Sequence, residues 1–159
     1  MQTELELLGR LLVAALFTGA IGWERETAHK SAGLRTHVLV GVASCLFVVL
    51  GISVSTGFPG GQGSVRIEPF ALIQSVAVGI GFLGAGIVRI GNEGKRPQGL
   101  TTAASIWAAA AIGLGAGFGK YILVGGATLI LLIVLRAVER LEERVLPERH
   151  KSRENTQER

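Results

Sequence analysis

The chain has 159 residues, of which 48% are hydrophobic and only 18% are charged, and its formal net charge is +4. The charged residues are concentrated in two loops and in the tail, with long uncharged runs between them. A soluble domain would spread its charges over its surface, whereas this segregation is typical of a chain that crosses a lipid bilayer. The basic residues form no face interleaved with aromatic side chains, so a nucleic-acid partner is not expected.

Five apolar runs follow one another along the chain, over residues 5–23, 38–56, 70–88, 99–119 and 121–135. The second, third and fourth runs approach or exceed the ~20 residues that a helix needs to cross a bilayer. The first and fifth have shorter uncharged cores, and Arg10 and Arg136 lie near their ends, where long side chains can reach the interface. Glu4 and Glu6 give the chain an acidic start, unlike that of a cleaved signal peptide. The sequence therefore predicts an all-α integral membrane protein, a bundle of about five Gly-rich transmembrane helices.

Charged residues continue beyond the fifth run. Pairs of opposite charge at i,i+3 spacing predict that the fifth helix extends to Pro147, and the residues after Glu148 are expected to be disordered. We therefore expect a transmembrane domain over residues 1–138 and a charged cytoplasmic tail over 139–159.

In a five-span arrangement the first loop, the third loop and the tail share one side and hold 13 Lys and Arg residues. The positive-inside rule then places the N-terminus outside and the C-terminus in the cytoplasm.

The third run contains a G-x-G-x-x-G pattern that would cradle a dinucleotide in a soluble βαβ unit. Here it lies inside a continuous apolar run, and no acidic residue follows at the distance where a ribose would be bound, so no cofactor is expected. Small residues recur every four positions in the third and fourth runs, which allows helix backbones to approach closely. We expect these two spans to form the buried centre of the bundle, packed through Ala77, Gly79, Gly81, Gly84, Gly86, Gly113 and Gly117.

The densest group of polar residues lies at the predicted cytoplasmic ends of the first, second and third spans, and Thr101 and Thr102 open the fourth span beside them. Glu24 and Glu26 are two apart, so on one helix they point to opposite sides and cannot share a metal ion unless the helix ends there; no metal site is expected. Glu26 has the spacing to pair with Lys30. Two interpretations stay open: an interfacial charge belt, or a polar site that holds an ion or a partner protein. The candidate residues are Glu24, Arg25, Glu26, Arg35, Thr36, His37, Arg89, Thr101 and Thr102.

Three classes of function are weighed against the residues inside the spans. No Asp or Glu lies at mid-membrane depth, which lowers the expectation of a proton-coupled carrier. Gln74, Ser75, Thr102 and Ser105 could line a pathway, but hydrogen bonding between helices is the favoured role. No nucleophile–base pair or metal-ligand cluster is present, so no catalytic residue is predicted and an enzyme is not expected.

Two short segments recur at an offset of 65 or 66 residues. Residues 17–20 match 82–85, and Gly33-Leu34-x-Thr36 matches Gly99-Leu100-x-Thr102. Spans one and three run in the same direction in a five-span protein, as do spans two and four. The matches therefore predict a parallel repeat of helix hairpins 1–2 and 3–4, with the fifth helix as an addition.

Four motifs, in the right order, resemble those of the MgtC/SapB family: Gly22-Trp-Glu-Arg-Glu26, Gly33-Leu-Arg-Thr-His37, Gly79-Ile-Gly-Phe-Leu-Gly-Ala-Gly-Ile87 and Gly99-Leu-Thr-Thr-Ala-Ala-Ser-Ile-Trp107. The resemblance covers roughly residues 5–138. It implies a five-span protein of the bacterial inner membrane, linked to growth in low magnesium, to virulence in some members, and to restraint of the membrane ATP synthase. Many members carry a soluble domain after the last span, where this sequence has a short charged tail, so the role of that domain is not carried over.

The resulting functional hypothesis is a non-enzymatic regulator of a membrane complex such as ATP synthase. The alternative is a component of a magnesium or other ion transporter or channel. Magnesium prefers oxygen ligands that include one or two carboxylates, and the acids of this sequence lie only at the edges of the spans, which favours the regulator. A homo-oligomer is left open.

Overall fold

The computed structural model describes residues 3–57, 68–88 and 97–145, which form five α-helices: α1 (Glu4–Thr27), α2 (Leu34–Gly57), α3 (Pro69–Ile87), α4 (Leu100–Gly117) and α5 (Tyr121–Val145). Each helix contains one of the predicted apolar runs or nearly all of it. Four of them, α1 to α4, are long and apolar enough to cross a membrane, and Tyr121–Ala137 of α5 is a shorter apolar helix. The predicted all-α membrane bundle is confirmed.

Local sequence signals set where the helices begin and end. Thr3 and Glu6 form a capping box at the start of α1: each side chain accepts a hydrogen bond from the backbone N–H of the other. Gly99 precedes α4 with φ 86°, and a Cβ on it would lie 2.6 Å from the Ile87 carbonyl oxygen, so this turn requires glycine. Gly119, with φ 71°, ends α4 in a Schellman motif.

The core of the bundle lies among α1, α2 and α4, where glycines bring helix backbones together. A Cβ on Gly113 of α4 would lie 2.9 Å from the carbonyl carbon of Gly41 on α2, and one on Gly117 would lie 2.7 Å from Val48 Cβ. The fully buried Thr18 of α1 also packs against Gly41. Close backbone approach therefore holds these three helices together at the positions where side chains are smallest.

The position of α3 differs from the sequence-based expectation that it shares the centre of the bundle with α4. In α3 11% of the span is buried, compared with 56% in α4. Only Val76 and Ile80 of α3 are buried, on the side where Gly84 faces Ala103 of α4. The other small residues of the predicted packing set do not pack tightly within the single chain: Ala77 is half-buried, and Cβ atoms on Gly79, Gly81 and Gly86 would meet nothing within 4 Å.

Arg10 is half-buried inside the first span, and its side chain bonds to the end of α4. Its Nη1 donates to the Gly117 carbonyl oxygen at 2.6 Å. The last carbonyls of a helix have no partner within the helix and carry partial negative charge, so a cation is stabilised there. The sequence suggests an arginine that reaches for the interface, whereas in the structure α4 itself supplies the hydrogen-bond partner.

The chain divides into two compact units, Met1–Thr128 and Leu129–Arg159. The boundary falls within α5, and the predicted domain limit at residue 138 stays a prediction. The fifth helix continues beyond its apolar run, as far as Val145. Arg89, the rest of the third loop and the tail after Val145 lie outside the described residues. The repeat also stays a prediction, although Gly33 and Gly99 both stand directly before helices, 66 residues apart.

Candidate functional site: a buried polar junction

Five polar residues from three helices meet at one end of the core, where α1 ends and α2 and α4 begin. None of them is more than 5% exposed. We call this group the polar junction: Glu24 and Arg25 of α1, His37 of α2, and Thr102 and Ser105 of α4. A polar group away from water is costly unless it is hydrogen-bonded, so the partners of each one define what the junction does.

Glu24 and Arg25 form a bidentate ion pair in the last two turns of α1. The Arg25 Nε donates to Glu24 Oε2 at 2.5 Å, and Nη2 donates to Oε1 at 2.6 Å. Adjacent residues on a helix do not normally face each other, so sequence spacing does not predict this pair. Both oxygens of the carboxylate are engaged by the guanidinium. Removing either partner would leave the other as a buried uncompensated charge, which typically costs ~3–5 kcal/mol.

His37 connects the first turn of α2 to α4. It is fully buried, with Nδ1 2.8 Å from the Gly33 carbonyl oxygen and Nε2 3.0 Å from Ser105 Oγ. Ser105 Oγ is in turn 2.8 Å from the carbonyl oxygen of Thr102. The result is a continuous chain of hydrogen-bonding groups from the N-terminal end of α2 into the first turns of α4.

Gly22 explains why the end of α1 lies so close to His37. A Cβ at this position would be 2.8 Å from the Leu34 Cα and 2.9 Å from the His37 Cβ. Gly22 is not in the predicted packing set, which was drawn from the third and fourth spans. The signal that could have found it is its place at the start of the motif Gly22-Trp-Glu-Arg-Glu26, two residues before Glu24.

Glu26 lies outside the polar junction, because it points to the other side of α1. Its Oε2 accepts a hydrogen bond from the backbone N–H of Leu34 at 2.7 Å. Leu34 is the first residue of α2, so the carboxylate satisfies one of the free N–H groups at the start of that helix and complements its dipole. Glu24 and Glu26 therefore point to different sides of α1, as their spacing predicts.

The predicted site residues separate into two groups by burial. Glu24, Arg25, His37 and Thr102 are buried in the polar junction, whereas four others are exposed beside it: Glu26, Arg35, Thr36 and Thr101. Arg89 lies outside the described residues. Ser105 is not in the predicted site; the sequence analysis names it among polar residues that could line a pathway or form hydrogen bonds between helices. Its three-residue offset from Thr102, which puts both on one face of α4, was the available signal.

In the first turns of two helices, exposed residues directly precede a buried one. Arg35 and Thr36 immediately precede His37 on α2, and Thr101 immediately precedes Thr102 on α4. We call Arg35, Thr36 and Thr101 the exposed rim. Because His37 joins α2 to Ser105, the rim residues are carried by two helix starts that the junction fixes relative to each other. Among the described residues, no three His, Cys, Asp or Glu side chains come together as a potential metal site.

Long apolar helices packed through glycine, with charged groups gathered at the helix ends, define a multi-pass membrane protein that lies in a lipid bilayer. The family model for the MgtC family matches residues 11–144, and the chain belongs to this family.

Three curated relatives show the range of similarity. The chain is 40% identical over 143 residues to "Putative magnesium transporter YhiD" of Escherichia coli K12, covering 89% of this chain and 64% of that protein. It is 36% identical to "Protein MgtC" of Salmonella typhimurium (83% and 54%) and 32% identical to "Protein SapB" of Bacillus subtilis (91% and 61%). The chain thus spans less than two thirds of the length of these relatives. No solved structure gives a significant match.

Proposed function

We propose that this protein is a non-enzymatic regulator in adaptation to low magnesium, and that it acts from the bacterial inner membrane on a membrane complex such as ATP synthase. The observation that carries the proposal is the bidentate pair of Glu24 and Arg25. Glu24, the one buried acid among the residues that the structure describes, has both carboxylate oxygens held by its neighbour. It therefore fixes local structure, whereas a cation pathway would need carboxylate oxygens free to bind the passing ion.

The exposed rim is the surface on which a partner would be recognised. Arg35 carries a planar guanidinium that can hold a carboxylate through two parallel hydrogen bonds, and the hydroxyls of Thr36 and Thr101 can add neutral hydrogen bonds. The rim lies on the side that the positive-inside rule assigns to the cytoplasm. This combination fits an acidic segment of a cytoplasmic or membrane-bound partner. The names of the relatives MgtC and YhiD support the connection to magnesium.

A magnesium transporter is the second candidate, and the printed name of the E. coli relative is the observation that favours it. The two candidates differ in one direct measurement. A transporter reconstituted in liposomes would move Mg²⁺ down its gradient without any partner, as reported by an enclosed magnesium-sensitive dye. A regulator would leave that signal at the level of empty liposomes.

The substitution Arg35→Lys tests the regulator. It retains the positive charge, and hence membrane orientation, but loses the bidentate geometry. We expect normal abundance of the protein, loss of growth support in low magnesium, and loss of ATP synthase subunits from a pull-down of the tagged protein. Arg140→Lys, at an exposed position on α5, is the matched control and should behave as the parent does. Full complementation by Arg35→Lys, alone and combined with Thr101→Ala, would contradict a recognition role for the rim.

A further inference from the structure

The hydrogen-bonding contacts around His37 outnumber the protons that neutral side chains supply. Three contacts are present: Nδ1 to the Gly33 carbonyl at 2.8 Å, Nε2 to Ser105 Oγ at 3.0 Å, and Ser105 Oγ to the Thr102 carbonyl at 2.8 Å. A carbonyl oxygen only accepts, so Nδ1 must carry a proton. The Ser105 hydroxyl has one proton, which can go to Nε2 or to the Thr102 carbonyl but not to both. Neutral side chains therefore leave one of the three contacts without a hydrogen.

One added proton would complete the network. With a proton on Nε2, the imidazolium donates to Ser105 Oγ through Nε2 and to the Gly33 carbonyl through Nδ1, and the serine hydroxyl turns to the Thr102 carbonyl. We propose that the polar junction is a proton-binding site with His37 Nε2 as the acceptor. The only bond formed is N–H, the proton comes from water, and the charge of the junction rises by one. This inference is independent of the proposed function.

In the part of the chain that the structure describes, few charged groups act on His37. From α1, Glu24 and Arg25 act on the imidazole with opposite signs, and they are paired with each other. The helices α3 and α4 carry no titratable side chain, so α4 contributes only the hydroxyls of Thr102 and Ser105. On the α2 side, Arg35 is exposed, and the Glu26 carboxylate lies on the first N–H of the helix. Burial of the imidazole opposes a positive charge on it, and the completed set of hydrogen bonds, beside a pair that is already neutral, is what offsets that cost.

Protonation has a structural consequence, because the contact of His37 with Ser105 joins α2 to α4. A hydrogen bond from a charged donor is roughly twice as strong as one between neutral groups. Proton uptake would therefore tighten the connection between the two helix starts that carry the exposed rim. Release of the proton would return Ser105 to a choice between two acceptors, one on each helix.

The experiment is nitrogen-15 NMR of the full chain in detergent micelles, with labelled histidine. The variant His29→Asn with His150→Gln leaves His37 as the only histidine, and asparagine suits the left-handed backbone of residue 29 (φ 52°). At about pH 8 we expect the neutral tautomer with the proton on Nδ1. As the pH is lowered step by step, Nε2 should become protonated while the protein is still folded.

Two substitutions test whether proton uptake by His37 depends on the Ser105 hydroxyl, as the proposed network requires, or occurs without it, as it would at any buried histidine. Ser105→Ala removes the acceptor for Nε2–H, so proton uptake should be lost from the range seen in the parent, whereas Ser105→Thr keeps a hydroxyl and should retain it. The proposal is overturned if the neutral form carries its proton on Nε2, if Nε2 stays unprotonated until the protein unfolds, or if Ser105→Ala takes up the proton as the parent does. The first two outcomes need no variant of the site, so they decide the matter even if Ser105→Ala does not fold.

Discussion

Glu24 and Glu26 show how two identical residues in one helical turn acquire different tasks. They are two positions apart on α1 and therefore point to different sides of the helix. Glu24 turns into the core, where only a bidentate partner makes its burial tolerable. Glu26 turns toward the loop and satisfies the first backbone N–H of α2. One acid thus stabilises the interior of the bundle, and the other determines where the next helix begins.

Removal of the Glu26 carboxylate should loosen the start of α2. We expect Glu26→Ala to lower the free energy of unfolding by ~1 kcal/mol, the usual effect of losing a side-chain cap. The measurement is thermal unfolding in detergent, followed by far-ultraviolet circular dichroism. Glu26→Gln is the matched control, because its amide oxygen can still accept the Leu34 N–H and only the charge is lost. An unchanged Glu26→Ala protein, or equal losses for the two variants, would contradict the capping role.

The composition of the candidate site could be predicted from the sequence, but its division into a buried and an exposed part could not. Four of the five junction residues were singled out because polar groups are rare in this chain and gather at the ends of the spans. Burial depends on the rotation of each helix about its axis, which an apolar run on all sides does not reveal. The link between His37 and Ser105 joins residues 68 positions apart and needed the packing of α2 on α4.

At the scale of helices, the same small-residue pattern has different outcomes in α3 and α4. Both helices repeat Gly or Ala every four residues, and the sequence gives no reason to prefer one. The difference lies in the partner: Gly113 of α4 meets Gly41 of α2, so two glycine backbones come into contact. Among the described residues, a Cβ on any glycine of α3 other than Gly84 would meet nothing within 4 Å. A small residue permits close packing but does not cause it, because the partner helix must also have small residues at the contact.

A pair of identical substitutions tests this difference. In Gly113→Ala the new methyl group would collide with the backbone of Gly41, and overpacking of this kind costs ~1–3 kcal/mol. In Gly79→Ala the methyl group would meet open space within the chain, so stability should be unchanged or slightly higher, because alanine favours the helix more than glycine does. The measurement is the midpoint of thermal unfolding of each variant in detergent. Equal destabilisation by both substitutions would mean that the Gly79 face is packed after all.

At the scale of the whole molecule, the helix bounds were predictable because an apolar run that crosses a bilayer is restricted to very few backbone structures. Without water, every backbone N–H and C=O must be paired within the segment, so each run becomes a helix. Polar signals then fix the ends, as Gly99 and Gly119 do for α4. The neighbours of each helix are set by complementary surfaces rather than by length, which is why α3 was placed at the centre and lies at the edge.

The predicted orientation in the membrane rests on two things: which helix ends lie together, and where the Lys and Arg residues are. The polar junction gathers the end of α1 with the starts of α2 and α4, so the first and third loops emerge on one side, and five crossings would add the tail to that side. Those segments hold 13 of the 16 Lys and Arg residues, and translocating them is unfavourable. In a Cys45→Ala background, we expect Gln62→Cys to react with an impermeant maleimide on intact cells and Ser152→Cys to react only after permeabilisation. Labelling of residue 152 on intact cells would reverse the orientation and place the exposed rim outside, where a cytoplasmic partner could not reach it.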